Sequence, residues 1–524
     1  MSESARSVAK GVSILGIVGI ICKVVGVLFS IPLNMISTDA AADFYLVYPT
    51  YTLLLTISSA GLPVAVSRMV AGFLARKDPR NAKQTFRTAL ITLMAIGGIL
   101  SVLMALFNGA LVSMVNVEDT SLGFYVIAPC VMIVCVLSAF RGFVQGQQNM
   151  FPTAISQLIE QIGKVTVSLP LCYIGVHVYH SVALGAAGAL LGITVEETAA
   201  TIYMMIYCRR NKKDFDRIPQ AESETARSGR NLLRELVIIS IPITISACII
   251  PLSQFIDSAM MIRRMMAAGL AVDQAKSAYG LFTSVVIRLI NIPTALALAI
   301  SMSLVPAISA RYSVRDMTGV RREGNNGIRY AFLIGFPCSV GMSLLSREIV
   351  YFVYGHVFSA DQIRLASELL TFSALTVVLF TAVQASTSIL QGLRRQNIPM
   401  FTMIAGVAVK ILLNYILIGT PGIDIHGGPI ASIACYSVAL IGNLYFVCRH
   451  AEMKFNWMDW IVRPGAAALI MGLGVWGLRS LMPFGRVTTI LEIIVGVCLF
   501  GAAAWLTRAV QKEDLNAILR RRKH

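Results

Sequence analysis

The chain has 524 residues, of which 56% are hydrophobic and only 14% are charged. Soluble domains usually carry about 25% charged residues, and no soluble core of this length could bury so much apolar surface, so lipid is expected to surround much of the chain. The formal net charge of +17 would suit a nucleic-acid-binding protein, but the positions of the cations, described below, exclude that class.

Residue types that usually mark chemistry are absent or scattered. The ten cysteines occur singly, in no metal-binding spacing and mostly inside apolar runs, so we interpret them as small apolar residues rather than disulfides or metal ligands. The sequence contains neither GxxxxGK[ST] nor HExxH. We therefore expect no bound cofactor or metal, no P-loop ATPase and no enzyme, so that any transport would be secondary.

Apolar segments long enough to cross a bilayer follow one another along the whole chain. A spanning helix needs about 20 apolar residues, and fourteen windows meet this criterion. They lie at 12–36, 44–66, 88–112, 122–144, 152–176, 181–207, 236–260, 278–308, 328–352, 364–390, 399–418, 427–448, 462–482 and 487–508.

The basic residues are distributed unequally between the two sides of these segments. Of the 44 Lys and Arg, we assign 33 to the loops and termini on one side, including Arg141 and Arg329, and seven, including Lys276, to the other side. The positive-inside rule then places both termini in the cytoplasm. The net charge thus reflects membrane topology, and nucleic acid is not a predicted partner.

Four cations remain inside the predicted spans, together with several acids. The cations are Lys23, Lys164, Arg288 and Lys410, and the acids are Glu160, Glu196, Glu197 and Asp257. A charged side chain at mid-bilayer costs several kcal/mol, or about 3 on insertion scales, so these groups should face partners, water or a ligand.

Two stretches of the chain repeat each other. Residues 140–164 read FRGFVQGQQNMFPTAISQLIEQIGK and residues 390–410 read LQGLRRQNIPMFTMIAGVAVK, so each has Gln-Gly, a polar run, Asn, Pro and an apolar helix with a lysine. Each copy contains six segments, an even number, so both should enter the membrane from the same side and enclose a cavity. We predict an N-terminal six-helix lobe at 1–210, a cytoplasmic linker at 211–234, a C-terminal six-helix lobe at 235–450, and two extra helices with a basic tail at 451–524.

The two repeated lysines differ in their local surroundings. Glu160 lies four residues before Lys164 on the same helical face, so a purely structural ion pair is an alternative to a functional role there. Around Lys410 the corresponding positions are Gly406 and Asn414, and neither is an acid. If the four cations converge, they would form a positive cavity suited to phosphate.

The repeated stretches, together with GLPVAVSR at 61–68 and ILQGLRRQNIP at 389–399, resemble the MurJ group of lipid II flippases. The resemblance covers nearly the whole chain and is strongest to the YtgP and SpoVB branch of the MOP superfamily. It implies an all-α polytopic membrane protein of about 14 transmembrane helices with the MATE-like fold, in which two six-helix lobes are related by a parallel repeat and two C-terminal helices are added.

The resemblance also implies a function. Such proteins move lipid II, the undecaprenyl-pyrophosphate-linked peptidoglycan precursor, from the inner to the outer leaflet of the bacterial plasma membrane by alternating access. Membrane lipids and cell-wall synthesis proteins would be further partners. The lipid tail would run along a groove involving the two added helices, and cations of the cavity would hold the pyrophosphate.

Some site residues follow from matching positions to the family. Lys23 and Arg288 fall where relatives have arginines on the first and eighth helices, and Lys164, Lys410 and Glu160 complete the predicted substrate site. The match departs at Leu54 and Leu55, where other members carry an arginine on the second helix.

The resemblance to this family does not decide which ion, if any, drives transport. Asp257 falls where some relatives hold sodium, with Asn414 as a further ion or charge partner, although Lys410 would crowd such a site. Coupling to the membrane potential, to Na⁺ or to H⁺ therefore remains open at the level of sequence.

Three other functions are alternatives. The chain could export a different lipid-linked glycan, such as a teichoic, capsule or spore-wall precursor. It could be a MATE-type drug or cation antiporter, although that function favours acids in the cavity. It could also be a membrane scaffold that positions wall enzymes, in which case no accessible cavity would surround the buried charges.

Overall fold

The computed structural model describes residues 18, 21–22, 25–26, 28–211 and 227–510, without the side chains of 295–300 and 302. Lys23, one of the predicted substrate-binding residues, lies outside the described residues. All regular structure in the described part of the chain is helical, so the predicted all-α fold is confirmed.

The chain forms two compact units, the first ending at Gly280 and the second beginning at Leu281. The predicted division at 210, 235 and 450 was made from the sequence repeat, and it stays a prediction. In the first unit the helices are α1 (28–36), α2 (Thr38–Ser59), α3 (Gly61–Ala75), α4 (Pro79–Leu106), α5 (Asn108–Val115), α6 (Ser121–Gly146), α7 (Phe151–Gly163), α8 (Leu169–Tyr173), α9 (Val182–Arg210), α10 (Gly229–Ala267) and α11 (Val272–Gly280).

The second unit is also helical throughout its described part. Its helices are α12 (Ile287–Ser313), α13 (Met317–Leu344), α14 (Ser346–Tyr354), α15 (Ala360–Ser373), α16 (Leu375–Gly392), α17 (Asn397–Ile418), α18 (Gly427–His450), α19 (Arg463–Leu481) and α20 (Arg486–Leu506).

The helices agree with the predicted spans. Within the described residues, eleven helical stretches are long and apolar enough to cross a membrane. The other three predicted segments correspond to α1, whose window is only partly described, to residues 151–178, and to residues 272–313. The chain is therefore a multi-pass membrane protein.

Local sequence explains where several helices begin. The side chain of Ser37 accepts a hydrogen bond from the backbone N–H of Ala40, and Asp78 and Asp316 cap α4 and α13 in the same manner. Ser359 forms a complete capping box with Gln362 at the start of α15. Such caps satisfy N–H groups that have no partner within the helix.

The internal repeat extends to the backbone of the turns. In the turn after α6, Gln148 adopts the left-handed conformation at φ 61°, and in the turn after α16, 246 residues later, Arg394 does so at φ 60°. In both turns the next N–H donates to a carbonyl five residues earlier, from Asn149 to Val144 and from Arg395 to Leu390. This is the bonding of a Schellman C-cap, so the two repeated stretches end their helices in the same way.

Each unit packs its helices around its own apolar core. In the first unit, α6 contacts α3, α4 and α9, and their buried residues include Val66, Leu93, Leu137 and Met204. In the second unit, α16 and α18 pack together, and α13 and α16 also pack against each other, with Phe332 and Ile389 fully or nearly buried. These cores fix the positions of the polar groups described next.

A buried ion-pair cluster as candidate functional site

Charged side chains of α6 and α7 meet inside the first unit. The Arg141 guanidinium forms an ion pair with Glu160, and its Nε donates a hydrogen bond to Ser156 Oγ at 2.9 Å. Both charged side chains are largely buried, with 16% and 12% of their surface exposed. The assignment of Arg141 to a loop is wrong, because α6 continues to Gly146 and carries this arginine inside the helix.

Lys164 lies on the next turn and faces a different acid. Its Nζ is 3.9 Å from Glu196 Oε1, and the exposed fractions of the two side chains are 14% and 2%. The ammonium also lies 6.0 Å from the ring centre of Phe29 and 5.9 Å from that of Tyr48, distances at which ring faces attract cations. Glu160 is thus paired with Arg141 from α6, while Lys164 is paired with Glu196 from α9.

Glu197 completes the cluster. Its carboxyl group lies near those of Glu160 and Glu196 and near the Arg141 guanidinium. Tyr51 and Cys130 lie beside it, with the Cys130 thiol 3.3 Å from the Tyr51 hydroxyl oxygen. The cluster therefore contains three carboxyl groups and two cations, all from described residues.

Two backbone features bring Lys164 and Glu196 together. A Cβ atom on Gly163 would lie 2.6 Å from Glu196 Cβ, so only glycine allows α7 and α9 to approach this closely. Immediately afterwards the chain forms a π-helical turn, Lys164–Ser168. Such a turn inserts an extra residue and re-aims the side chains that follow, and π turns occur often at functional sites. Arguments from residue spacing assume a regular α-helix, so they could not predict this π-helical turn.

The remaining predicted site residues occupy separate elements. Asp257 is half-buried on α10 in the first unit. In the second unit, Arg288 on α12 and Lys410 on α17 are half-buried, while Asn414 is fully buried one turn after Lys410. The structure thus brings Glu160 and Lys164 into one cluster. Lys410 lies four residues before Asn414 on α17. Their role in substrate binding stays a prediction.

Neutral groups occupy the corresponding place in the second unit, the junction where α16, α17 and α18 meet. Asn443 on α18 donates from Nδ2 to Thr387 Oγ1 at 3.1 Å and to Ser386 Oγ at 3.3 Å, and Thr402 donates to Asn443 Oδ1 at 2.6 Å. Sequence reasoning did not identify this network. The repeat offset was the signal that could have done so, because Thr387 and Thr402 stand 246 residues after Arg141 and Ser156.

Two further cations assigned to loops are buried. Lys276 Nζ lies 2.8 Å from the fully buried carboxylate of Asp43 on α2 and 3.4 Å from Asp119. Arg329 is buried inside α13. Both loop assignments are wrong, because Lys276 lies inside α11 and Arg329 lies inside α13.

Comparison with known proteins agrees with this architecture. A sequence model described as polysaccharide biosynthesis protein matches residues 8–311, more than half of the chain. The chain belongs to the polysaccharide biosynthesis protein family. A second model, described as MatE, matches residues 242–416 of this family member.

Curated relatives of the chain include two proteins of Bacillus subtilis. The chain is 25% identical to the lipid II flippase MurJ, with 98% of this chain and 97% of MurJ covered. It is 27% identical to stage V sporulation protein B, with coverages of 81% and 80%. The predicted resemblance to the MurJ and SpoVB proteins is confirmed.

Solved structures show the same fold. A lipid II flippase MurJ in an inward closed conformation superposes with a TM-score of 0.73 at 12% identity, covering 94% of this chain and 98% of that one. An inward-facing MATE family transporter of the MOP superfamily superposes at 0.66 with 14% identity, covering 82% and 95%. The chain therefore has the fold that these two structures share.

Proposed function

We propose that the chain is a flippase that moves lipid II from the inner to the outer leaflet by alternating access. The observation that carries this proposal is the end-to-end similarity to a protein named lipid II flippase MurJ, which leaves almost no part of either chain uncovered. The polysaccharide biosynthesis family to which the chain belongs supports a lipid-linked sugar as the class of substrate.

Cations in spanning helices supply the chemistry that this substrate requires. The headgroup carries a pyrophosphate, which Lys and Arg bind through charge-assisted hydrogen bonds. Lys164, Arg288 and Lys410 occupy helices of the membrane domain and are neither fully exposed nor fully buried. We assign pyrophosphate binding to these three residues and to Lys23.

The direction of transport has a physical basis. We place the protein in the bacterial plasma membrane with both termini in the cytoplasm, following the excess of basic residues on that side. A membrane potential that is negative inside favours outward movement of an anionic headgroup, by about 2.3 kcal/mol per charge per 100 mV. Transport then needs no ATPase domain.

Leaflet-resolved transport of lipid II in liposomes that contain only this protein tests the proposal. The wild-type chain should equilibrate lipid II across the bilayer, and the double variant Arg288→Ala, Lys410→Ala should lose at least nine-tenths of that rate. Arg322→Ala, which removes an exposed arginine of α13, is the matched control and should transport normally. Wild-type liposomes without activity, or an unimpaired double variant, would contradict the proposal.

A second candidate is the export of another undecaprenyl-pyrophosphate-linked glycan. The identity to stage V sporulation protein B, at 27%, is slightly higher than that to MurJ. This observation supports a second candidate substrate. Competition in the same liposomes distinguishes the two. A teichoic or spore-wall precursor that is transported while lipid II is not would replace the first candidate by the second.

A further inference from the structure

Helices α3 and α10 of the first unit touch at one level and leave an open space at another. A Cβ atom on Gly61 would lie 2.2 Å from the carbonyl oxygen of Ser240, so the two backbones are in direct contact there. Eleven residues further along α3, a Cβ atom on Gly72 would meet nothing within 4 Å. The space between the helices at that level is a cavity of about 750 Å³, which we call the α3–α10 cleft.

The cleft has an excess of positive charge. Three arginines line it, Arg68 and Arg76 from α3 and Arg234 from α10, and all three are exposed. Among the described residues of the lining, Glu235 is the only acid, and it forms an ion pair with Arg227 at 3.3 Å. The lining therefore attracts an anion from outside the chain.

The helical spacing of α3 gathers its cations around a gap. Arg68, Gly72 and Arg76 are four residues apart and so lie on one face of the helix. The guanidinium of Arg76 lies 5.2 Å from the centre of the Phe73 ring, and that of Arg227 lies 5.3 Å from the same centre. Such contacts hold a cation in place without neutralising its charge, so the positive potential of the cleft remains.

An exposed apolar stripe on α10 leads away from the cleft. Ile238 lines the cleft, and Ile238, Ile241 and Ile245 lie on one helical face with 61%, 51% and 52% of their surface exposed. From Arg234 to Ile245 the helix rises about 16 Å, which is about half of the 30 Å hydrocarbon core of a bilayer. The charges and the stripe are thus spaced as the headgroup and the acyl chain of a lipid in one leaflet.

We propose that the α3–α10 cleft binds the phosphate headgroup of an anionic phospholipid of the inner leaflet, whose acyl chain lies along the exposed isoleucines of α10. Arginine binds phosphate through paired, charge-assisted hydrogen bonds. The excess of basic residues places these helix ends on the cytoplasmic side, where basic pockets between spanning helices suit such headgroups. A soluble anion would leave the apolar stripe uncovered. The site does not depend on which substrate the chain transports.

Binding of single lipids to the full chain tests the proposal. The chain in detergent micelles is titrated with dioleoylphosphatidylglycerol and, separately, with dioleoylphosphatidylcholine, and native mass spectrometry counts the bound lipid. We expect one phosphatidylglycerol to bind at least about tenfold more tightly than phosphatidylcholine, because the acyl chains are identical and only the first headgroup carries a net negative charge. Equal affinities would overturn the proposal.

Variants assign the lipid to the cleft. Arg68→Gln, Arg234→Gln should weaken phosphatidylglycerol binding about tenfold and leave phosphatidylcholine binding unchanged. The matched control Arg209→Gln, Arg210→Gln removes two exposed arginines of α9 and should retain the wild-type affinity. Gly72→Phe keeps every arginine but fills the gap between them, so it should also weaken binding.

Two results would show that the lipid binds elsewhere. Phosphatidylglycerol affinity that stays at the wild-type value in Arg68→Gln, Arg234→Gln would overturn the site, and so would an equal loss in the α9 control. The double variant changes only exposed side chains, so its result stands even if Gly72→Phe fails to fold.

Other occupants of the cleft are outcomes of the same titration. The segment before Arg227 carries four acids and lies outside the described residues. Neutralising them together, as Asp214→Asn, Asp216→Asn, Glu222→Gln and Glu224→Gln, should leave phosphatidylglycerol binding unchanged. Binding that appears only in this variant would assign the cleft to that segment. Displacement of the bound phosphatidylglycerol by an equal concentration of lipid II would assign it to the substrate, and either result would overturn the proposal while transport in liposomes still stood.

Discussion

The junction of α6, α7 and α9 in the first unit and the junction of α16, α17 and α18 in the second are built on one repeated pattern. At the first junction Arg141, Ser156 and Glu197 are polar, and 246 residues later Thr387, Thr402 and Asn443 occupy the second. The first set is charged and contains a buried ion pair. The second forms neutral hydrogen bonds of 2.6–3.3 Å.

The comparison shows that the repeat conserves geometry rather than electrostatics. Helices α6 and α16 end in the same left-handed turn, and a lysine follows in each copy, at Lys164 and Lys410. The position that corresponds to Glu160 is Gly406, and α17 runs as a regular helix where the first copy has a π-helical turn after Lys164. The first unit thus has a buried ion-pair cluster where the second has a network of neutral hydrogen bonds.

The largest difference between the junctions should appear when one polar partner is removed. Arg141→Met leaves the Glu160 carboxylate buried without its ion pair, and we expect a loss of about 3–5 kcal/mol of stability. Thermal and denaturant unfolding in detergent, followed by tryptophan fluorescence, would measure it. The double variant Arg141→Met, Glu160→Met should recover most of the loss, and a double variant as unstable as the single one would show that the ion pair is not the cause.

Substitutions that force two packed helices apart should have an intermediate effect on stability in both units. Gly163→Ala would place a Cβ atom 2.6 Å from Glu196 Cβ, and Gly442→Ala would place one 2.6 Å from Thr402 Cγ2. Overpacking of this kind costs about 1–3 kcal/mol. Gly72→Ala is the matched control, because nothing lies within 4 Å of its added Cβ.

The same unfolding measurement tests both glycine variants. Losses no larger than that of Gly72→Ala would contradict the close helix approach at Gly163 and Gly442.

The smallest effect is expected at the neutral junction. Thr402→Val removes the hydrogen bond from Thr402 to Asn443 while keeping the shape of the side chain. Hydrogen bonds between helices in membranes contribute about 0.6 kcal/mol on average and about 1.7 at most. A loss of 3 kcal/mol or more in the unfolding measurement would mean that the second junction is as sensitive as the ion-pair cluster.

Most of the fold could be predicted from the sequence, because the signals are local. Apolar windows of about 20 residues located the helices, and the repeat near residues 140–164 and 390–410 located corresponding turns that the structure shows in one conformation. The cations Lys164, Arg288 and Lys410 were recognised as unusual within apolar helices by the same local criterion. Helix α5, a short helix between two spans, carries too weak a pattern to be predicted.

The partners of the charged groups were decided only by the tertiary structure. Glu160 pairs with Arg141, and Lys164 meets Glu196, because α6, α7 and α9 pack closely at Gly163 and a π-helical turn re-aims the chain. Lys276 and Asp43 are 233 residues apart in the sequence and 2.8 Å apart in space. Hydropathy depends on each residue and its neighbours along the chain, whereas an ion pair depends on which helices pack together, and no local pattern encodes that.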